Sequence, residues 1–333
     1  MARDSGEVST MDAIGRTLVR WCLILALPVL AWHPIPAAGA ERDVVGMITE
    51  IHLGRGQVEV GSAGAQRWRP ATPLLTLRAG DTVETTADAW VVIVLSGGRG
   101  TVKVDESTSP FVVTAPAAGQ GRFHKGLSIL EASITFLSTT PRELFGNLGS
   151  RGGVRPPVIL TPRNGPVLPE SLVFEWRGSR SSQYGVRIVG PDGPVFERAN
   201  LAATRLAYPK DAPPLAAGVR YTFRLQPAWH PPQEVWFEVI DADHAQAIRQ
   251  DLRDLDEVLP SGPSPATAVI LRAGFLARSG LLHDARLRVA EALARQPGEP
   301  TLHFLLGELS ARQGLGREAM ESFAEARYLL GGR

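Results

Sequence analysis

Cysteine is almost absent from this chain, and neither sign of charge is in excess. One of the 333 residues is a cysteine, Cys22, so the sequence offers no disulfide framework and no pair of thiolates for metal or redox chemistry. Lys and Arg number 35 while Asp and Glu number 34, a balance that provides no general attraction to nucleic acid or to an anionic membrane. Hydrophobic residues make up 44%, enough to build cores, and the length predicts about two or three domains.

Long hydrophobic runs are missing as well. The apolar segment WCLILALPVLAW covers only residues 21–32, whereas a membrane-spanning helix needs about 20 consecutive apolar residues. Arg16 and Arg20 precede this segment, an arrangement typical of an export signal, and we assign residues 1–40 to a signal peptide. An uncleaved membrane anchor is the alternative interpretation.

The end of this segment predicts where the signal is removed. Ala38 and Ala40 match the small-x-small pattern, which places cleavage between Ala40 and Glu41. The residues before Cys22 are not the small ones that precede a lipid-modified cysteine, so a lipoprotein is disfavoured. We expect a periplasmic or secreted protein that contacts a membrane only if the signal stays uncleaved.

Residues 41–121 have the pattern of a β-domain. Short alternating runs surround the continuous apolar run WVVIVL at 90–95, which is typical of a strand covered on both faces. The glycine-rich turns, Gly80-Asp81 and SGGRG at 96–100, connect strands to strands, whereas a phosphate-binding loop needs a helix directly after it. We therefore interpret these turns as structural, with Gly80 at a positive φ and the Asp81 side chain bonded to the backbone amides that follow it.

The order of these features resembles the FecR domain. The matching stretches are GMITEIHLGRGQVEV and LLTLRAGDTVETTADAWVVIVLSGGRGTVKV, with Gly80, Asp81 and Thr85 in the G-D-x-V-x-T turn. The resemblance implies a small periplasmic β-domain that binds or transmits a signal without catalysis. Only 20 residues precede the apolar run, without the cytoplasmic anti-sigma segment of FecR regulators, so direct control of a sigma factor is not implied.

Residues 122–157 predict an amphipathic helix followed by a linker. An apolar stripe at helical spacing, which we expect to pack on the first β-domain, is formed by Leu127, Leu130, Ile134 and Leu137. The glycine- and proline-rich stretch GNLGSRGGVRPP at 146–157 predicts the linker.

Residues 158–240 return to strands. Short apolar runs follow one another at about ten-residue spacing, with a hairpin turn PDG at 191–193, and this rhythm predicts an antiparallel β-sandwich. The segment resembles an immunoglobulin-like or fibronectin type III module, and the resemblance implies that Trp176 and Tyr221 are core aromatics.

Residues 241–333 predict helices with an internal repeat. Asp241 and Asp243 are candidate N-caps of a first helix at about 244–258. A repeat of 34 residues then covers about 266–299 and 300–333 and resembles the tetratricopeptide pattern. Its signature positions are small residues at turns and helix crossings and one large aromatic residue: Gly280, Ala285, Ala292, Gly307, Gly314, Ala319, Phe323 and Ala326.

The helical region has an energetic problem. Arrays of this kind usually need about three repeats for stability, and the sequence contains two after a leading helix. The last residues, Tyr328, Leu329 and Leu330, are apolar. We expect this end to dock on a partner protein, on a second copy or on the β-modules of the same chain.

No motif in the sequence indicates catalysis. The histidines lack zinc-ligand spacing, and neither a nucleophile elbow nor a Walker loop is present, so we expect no metal, cofactor or catalytic residue. The candidate partner-binding residues are aromatic, apolar or imidazole groups of the last two regions: Tyr328, Leu329, Leu330, His303, Trp229, Trp236 and His230.

These features together predict a multi-domain chain, β then α, that acts by binding. The first hypothesis is a periplasmic or envelope scaffold that recruits a protein partner through its helices and its FecR-like domain. A second is an envelope protein that binds peptidoglycan or an exported polysaccharide, with Trp229 and Trp236 stacking on sugars. A hydrolase whose site is assembled from distant residues is the third.

Overall fold

A computed structural model describes most of the chain after the apolar segment. The described ranges are 44–64, 67–116, 125–139, 157–179, 182–259 and 264–331. The expected signal peptide at 1–40, its cleavage site and the expected linker up to residue 156 lie outside these ranges.

The first region is built from eight strands in two sheets. The strands are β1 (Val44–His52), β2 (Val58–Gly61), β3 (Trp68–Pro70), β4 (Thr76–Arg78), β5 (Thr82–Thr85), β6 (Trp90–Leu95), β7 (Gly100–Val104) and β8 (Phe111–Val112). One sheet has the order β4-β1-β6-β7 and the other β3-β2-β5-β8, and the neighbours pair antiparallel. The alternating runs read from the sequence are therefore strands.

The continuous run WVVIVL is strand β6, and its two faces enter different cores. Val91 and Ile93 belong to the core between the two sheets. Val94 belongs to a second core that is formed mainly by helices. The run lacks polar alternation because this sheet is covered on both sides.

The second region has eight further strands in two sheets. They are β9 (Val158–Thr161), β10 (Gly165–Val167), β11 (Val173–Arg177), β12 (Tyr184–Gly190), β13 (Gly193–Leu201), β14 (Arg205–Ala207), β15 (Arg220–Pro227) and β16 (Gln233–Val239). A five-stranded sheet, β10-β16-β15-β12-β13, and a three-stranded sheet, β14-β11-β9, enclose Trp176, Tyr221 and Phe237. Strand β10, which sequence reasoning missed, pairs with β16 in parallel.

Six helices complete the described chain. They are α1 (Lys125–Ser138), α2 (Ala242–Val258), α3 (Pro265–Arg278), α4 (Leu282–Arg295), α5 (Pro300–Arg312) and α6 (Gly316–Leu329). Helices α3 and α4 form one packed pair and α5 and α6 another. The turns inside the two pairs place Gly280 and Gly314 at φ of 81° and 74°, a backbone region that favours glycine.

Helix α2 begins two residues earlier than expected. Asp241 is its N-cap and accepts a hydrogen bond from the His244 amide at 2.7 Å. Asp243 lies inside the first turn and is not a cap, so only one of the two expected caps is found.

The apolar stripe of α1 suggested packing on the first β-domain, but the helix packs chiefly elsewhere. It lies against α2 and α3 and makes a smaller contact with β1. A Cβ atom at Gly126 would lie 2.0 Å from the Asp254 carbonyl oxygen of α2, and one at Gly274 of α3 would lie 2.8 Å from Leu137. A helix from before the sandwich therefore completes the front of the helical array, next to α2.

One core joins the three regions. The helical core includes Met47 and Val94 from the first β region and Leu168 and Ile240 from the second. Residues from Arg42 to Arg333 accordingly form a single compact unit. Within the described ranges, none of the helices combines the length and the apolarity that crossing a bilayer requires.

The contact between α1 and α2 can be tested with one methyl group. Gly126→Ala would force the two backbones apart, and we expect the free energy of unfolding to fall by about 1–3 kcal/mol in urea titrations. Gly316→Ala is the matched control, because Gly316 also lies in a first helical turn and a Cβ there meets nothing within 4 Å. Since alanine is the better helix former, the control should be neutral or slightly stabilising. Equal effects of the two changes would contradict the placement of α1.

Candidate functional site

A buried carboxylate joins the first β region to the helices. Glu50 of β1 is 3% exposed and lies at the N-terminus of α3. It accepts hydrogen bonds from the Thr267 amide at 2.9 Å, from the Ser264 hydroxyl at 2.6 Å and from the Thr267 hydroxyl. The first turn of a helix has unpaired N–H groups and a partial positive charge, both of which stabilise a carboxylate. Because the Ser264 side chain does not cap its own helix, Glu50 supplies the cap from another domain.

The same strand reaches the next helical pair. Glu299 is the N-cap of α5 and accepts from the Thr301 amide at 3.0 Å, while the Ile51 amide of β1 also hydrogen-bonds to this carboxyl. Burial raises the pKa of Glu299 to about 7, the nearby Glu50 charge adds to the rise, and the amide hydrogen bonds oppose it. Strand β1 thus covers the N-terminal ends of α3 and α5, the first helices of both pairs.

The second β region is fastened to α4. Asp284 is 2% exposed and accepts the Leu168 amide at 3.1 Å, and burial raises its pKa to about 7. The neighbouring His283 is equally buried and hydrogen-bonds to the Thr161 hydroxyl. These contacts place β9 and the segment after β10 against the start of α4.

Ion pairs extend this contact between the second β region and the helices. Arg286 of α4, which is 6% exposed, donates to Glu175 of β11 at 3.2 Å. Arg177 of the same strand meets Glu318 at 3.5 Å and Glu321 at 2.7 Å on α6. A buried ion pair adds orientation more than net stability, so this network aligns the sandwich with α4 and α6.

The turn and repeat residues have packing roles. Gly80 has a φ of 88°, and the buried Asp81 carboxylate accepts from the Arg78 and Ala63 amides at 2.9 and 3.4 Å. These amides precede Asp81, so the expectation that the following amides donate is wrong. Thr85 is buried, and its amide donates to the Ser109 hydroxyl at 3.0 Å.

In the helical pairs, the small residues permit close approach. A Cβ atom at Gly307 would lie 2.6 Å from the Phe323 ring. The four alanines of the pattern are buried, as is the aromatic ring: Ala285, Ala292, Ala319, Ala326 and Phe323.

The candidate residues on the sandwich lie on the hairpin formed by β15 and β16. Trp229 is 87% exposed, at the tip of the loop, and His230 beside it is half-buried. Trp236 lies within β16, and the Arg220 guanidinium stacks 4.2 Å from its ring centre. Of the two tryptophans, Trp229 is the one whose ring is fully offered to solvent.

The candidates on the helices are separated from that hairpin by the fold. Leu330 packs against the core of the first β region, so part of the apolar end docks on a β-module of the same chain. Leu329 is half-buried and Tyr328 is 71% exposed. His303 hydrogen-bonds to the Pro297 carbonyl oxygen at 2.8 Å and stays beside the turn before α5.

The structure also presents a surface that sequence reasoning largely missed. Helix α6 packs on α5 through Ala319 and Phe323, and its opposite side faces outward. We call this side the α6 face; its residues are exposed or half-exposed: Arg317, Met320, Glu321, Ala324, Arg327 and Tyr328. The repeat gave no direct signal for this surface, because the corresponding residues of α4, Arg286 and Leu287 among them, lie next to the sandwich.

No metal site is evident in the parts of the chain that the structure describes, since three His, Cys, Asp or Glu side chains do not cluster there. A search against protein-family models finds no match for the chain. A search against curated proteins finds no match either.

The Glu50 contact predicts a loss of stability on neutralisation. Glu50→Gln removes the charge that the N-terminus of α3 stabilises, and we expect unfolding free energy to fall by about 1–3 kcal/mol. Hydrogen exchange of the Thr267 amide should accelerate in parallel. Glu106→Gln, at an exposed site, is the control and should change neither quantity. Unchanged protection of Thr267 in Glu50→Gln would contradict the capping role.

Two buried carboxyl groups and one half-buried one predict a pH dependence. Burial raises the pKa values of Asp284, Glu299 and Glu308 to about 7, against ordinary values of 3.8 and 4.5. Between the ordinary pKa values and the raised ones, the folded state holds protons that the unfolded state releases. The free energy of unfolding therefore falls as the pH rises from about 4.5 to about 7.

Glu308→Gln removes one of these groups without changing its shape. We expect the variant to lose less stability than the parent over this window, by on the order of 3 kcal/mol, in urea unfolding at each pH. Parallel pH profiles of parent and variant would show that Glu308 does not titrate there.

Proposed function

We propose that this protein is a non-enzymatic scaffold of the cell envelope that binds a protein partner without covalent chemistry. In this proposal the first β region is a FecR-like domain, the second an immunoglobulin-like or fibronectin III-like sandwich, and α3–α6 are two tetratricopeptide-like hairpins. The protein is exported to the periplasm or secreted, and it needs no cofactor. The resemblances noted in the sequence and the β-then-α architecture support this proposal.

The observation that carries the proposal is that one face of α6 is exposed, whereas the β regions, α1 and α2 cover other sides of the helical array. Strand β1 covers α3 and α5 through Glu50 and Glu299, so a partner cannot enter there without displacing it. The α6 face meets the sandwich at Glu321, which pairs with Arg177, but Ala324 at its centre is exposed, and the face offers a helix surface of mixed apolar and charged character. A helix surface of that kind is a common platform for protein partners.

One observation favours the glycan hypothesis as a second candidate. An indole that is 87% exposed and flanked by Pro231 and Pro232 presents its ring to a sugar at little entropic cost. Trp236 supports this hypothesis less than Trp229 does, because Arg220 occupies one side of its ring.

In-cell crosslinking with mass spectrometry tests the proposal on the full chain. Ala324→Arg places a long charged side chain at the centre of the α6 face, and Ala247→Arg places one on an exposed site of α2 as the matched control. We expect Ala324→Arg to reduce crosslinks to envelope proteins at least about tenfold, since a misplaced interfacial charge costs several kcal/mol. The control should retain them.

Removal of the exposed indole distinguishes the glycan hypothesis from the protein-scaffold proposal. Should Trp229→Ala lose retention on purified cell wall while Ala324→Arg leaves the crosslinks unchanged, the protein-scaffold proposal would give way to the glycan one. Deleting the helices is a poorer test, because truncation after residue 243 would expose Met47 and Val94 of the first β region.

A further inference from the structure

The α6 face has an internal symmetry. Ala324 lies at its centre and is exposed. Met320 and Tyr328 stand four residues before and after it, and Glu321 and Arg327 stand three residues before and after it. Apolar residues therefore lie at equal distances on the two sides of Ala324, and an acidic and a basic residue do so as well.

Such a face is complementary to itself when two helices cross antiparallel. A two-fold axis beside Ala324 brings Met320 of one copy level with Tyr328 of the other, and Glu321 level with Arg327. The methionine–tyrosine pairs place sulfur beside an aromatic ring, and the two ion pairs have opposite charges across the seam. The methyl group of Ala324 lets the helix backbones approach at the crossing point.

We propose that the α6 face binds a second copy of this chain, forming a two-fold symmetric dimer through antiparallel α6 helices. This inference rests on the proposed function, because both assign binding to the α6 face. The inference adds the identity of the partner, a second copy of the chain. Charge complementarity selects this occupant. Arg317 and Arg327 of the face stand against Glu321 and against Glu325, which is exposed on α6 beside the face, so the surface has no net charge that would attract a strongly acidic or basic partner.

Part of the surface is already held in position. Glu321 is fixed by Arg177 at 2.7 Å and by Arg317 at 3.3 Å, so its carboxylate is oriented before a second copy arrives. Pre-orientation lowers the entropy lost on binding. One helix face is smaller than the roughly 1,200 Å² of a standard interface, so the dimer is weak and forms by mass action at high concentration.

Cysteine crosslinking tests the position of the axis. In a Cys22→Ser background, Ala324→Cys places one thiol per chain next to its symmetry mate, within the roughly 4.4–6.8 Å between Cα atoms that a disulfide spans. Under mild oxidation we expect disulfide-linked dimer to form at least about tenfold faster than with Ala247→Cys, the exposed control on α2. Equal rates for the two variants would overturn the proposed axis.

Sedimentation velocity from about 5 to about 500 μM tests the association itself. The parent should shift from monomer to dimer, Ala247→Arg should follow the parent, and Ala324→Arg should remain monomeric. Raising the salt from about 0.1 M to about 1 M, where the Debye length falls to about 3 Å, should weaken the parent dimer.

The outcomes separate this inference from the proposed function. A parent that stays monomeric over the whole range, with slow crosslinking at Ala324→Cys, overturns the dimer. If Ala324→Arg then still loses crosslinks to other envelope proteins in cells, the scaffold proposal stands with a different partner. A dimer that survives Ala324→Arg would place self-association elsewhere and also overturn the inference.

Discussion

The Glu50 carboxylate at the start of α3 is the contact on which the arrangement of the modules depends. A carboxylate that is 3% exposed would be expensive to bury in an apolar interior. The N-terminus of α3 lowers that penalty, because it presents free N–H groups and a favourable dipole where β1 meets this helix. The stabilisation exists only when strand and helix are docked, so it acts on the interface and not on either module alone.

Several features of the fold follow from this docking. Because the inner face of β1 and β6 lies on helices, Val94 must be apolar there while Ile93 fills the core on the other side. The two helical pairs, too few to bury their own surfaces, gain cover from β1 on one side and from α1 and α2 at the front. Leu330 at the far end is also covered by the first β region. The shortage of repeats is thus resolved inside the chain, by segments far away in sequence.

Local patterns predicted the elements, whereas contacts between distant segments could not be read from the sequence. The strand runs and the repeat around Gly280 and Gly314 depend on periodicities and turn residues that a short window contains. The partner of Glu50 lies 217 residues away, and α1 has the same apolar stripe whether it packs on a sheet or on α2. The sequence identified Tyr328 as part of an apolar C-terminal segment. It did not identify the α6 face, because that needs the structural observation that Phe323 points inward.

In the proposed scaffold a partner binds an open surface, because the interfaces between the β regions and the helices are already held by hydrogen bonds and ion pairs. Separating β1 from the helices would leave Glu50 without the N-terminus of α3 and Glu299 without the Ile51 amide, and separating the sandwich from α4 would leave Asp284 without the Leu168 amide. The α6 face contributes Glu321 to the contact with Arg177 of the sandwich, whereas Ala324 and Tyr328 of this face are exposed. In the proposed scaffold, a partner on the exposed part of this face leaves the contacts between the β regions and the helices in place.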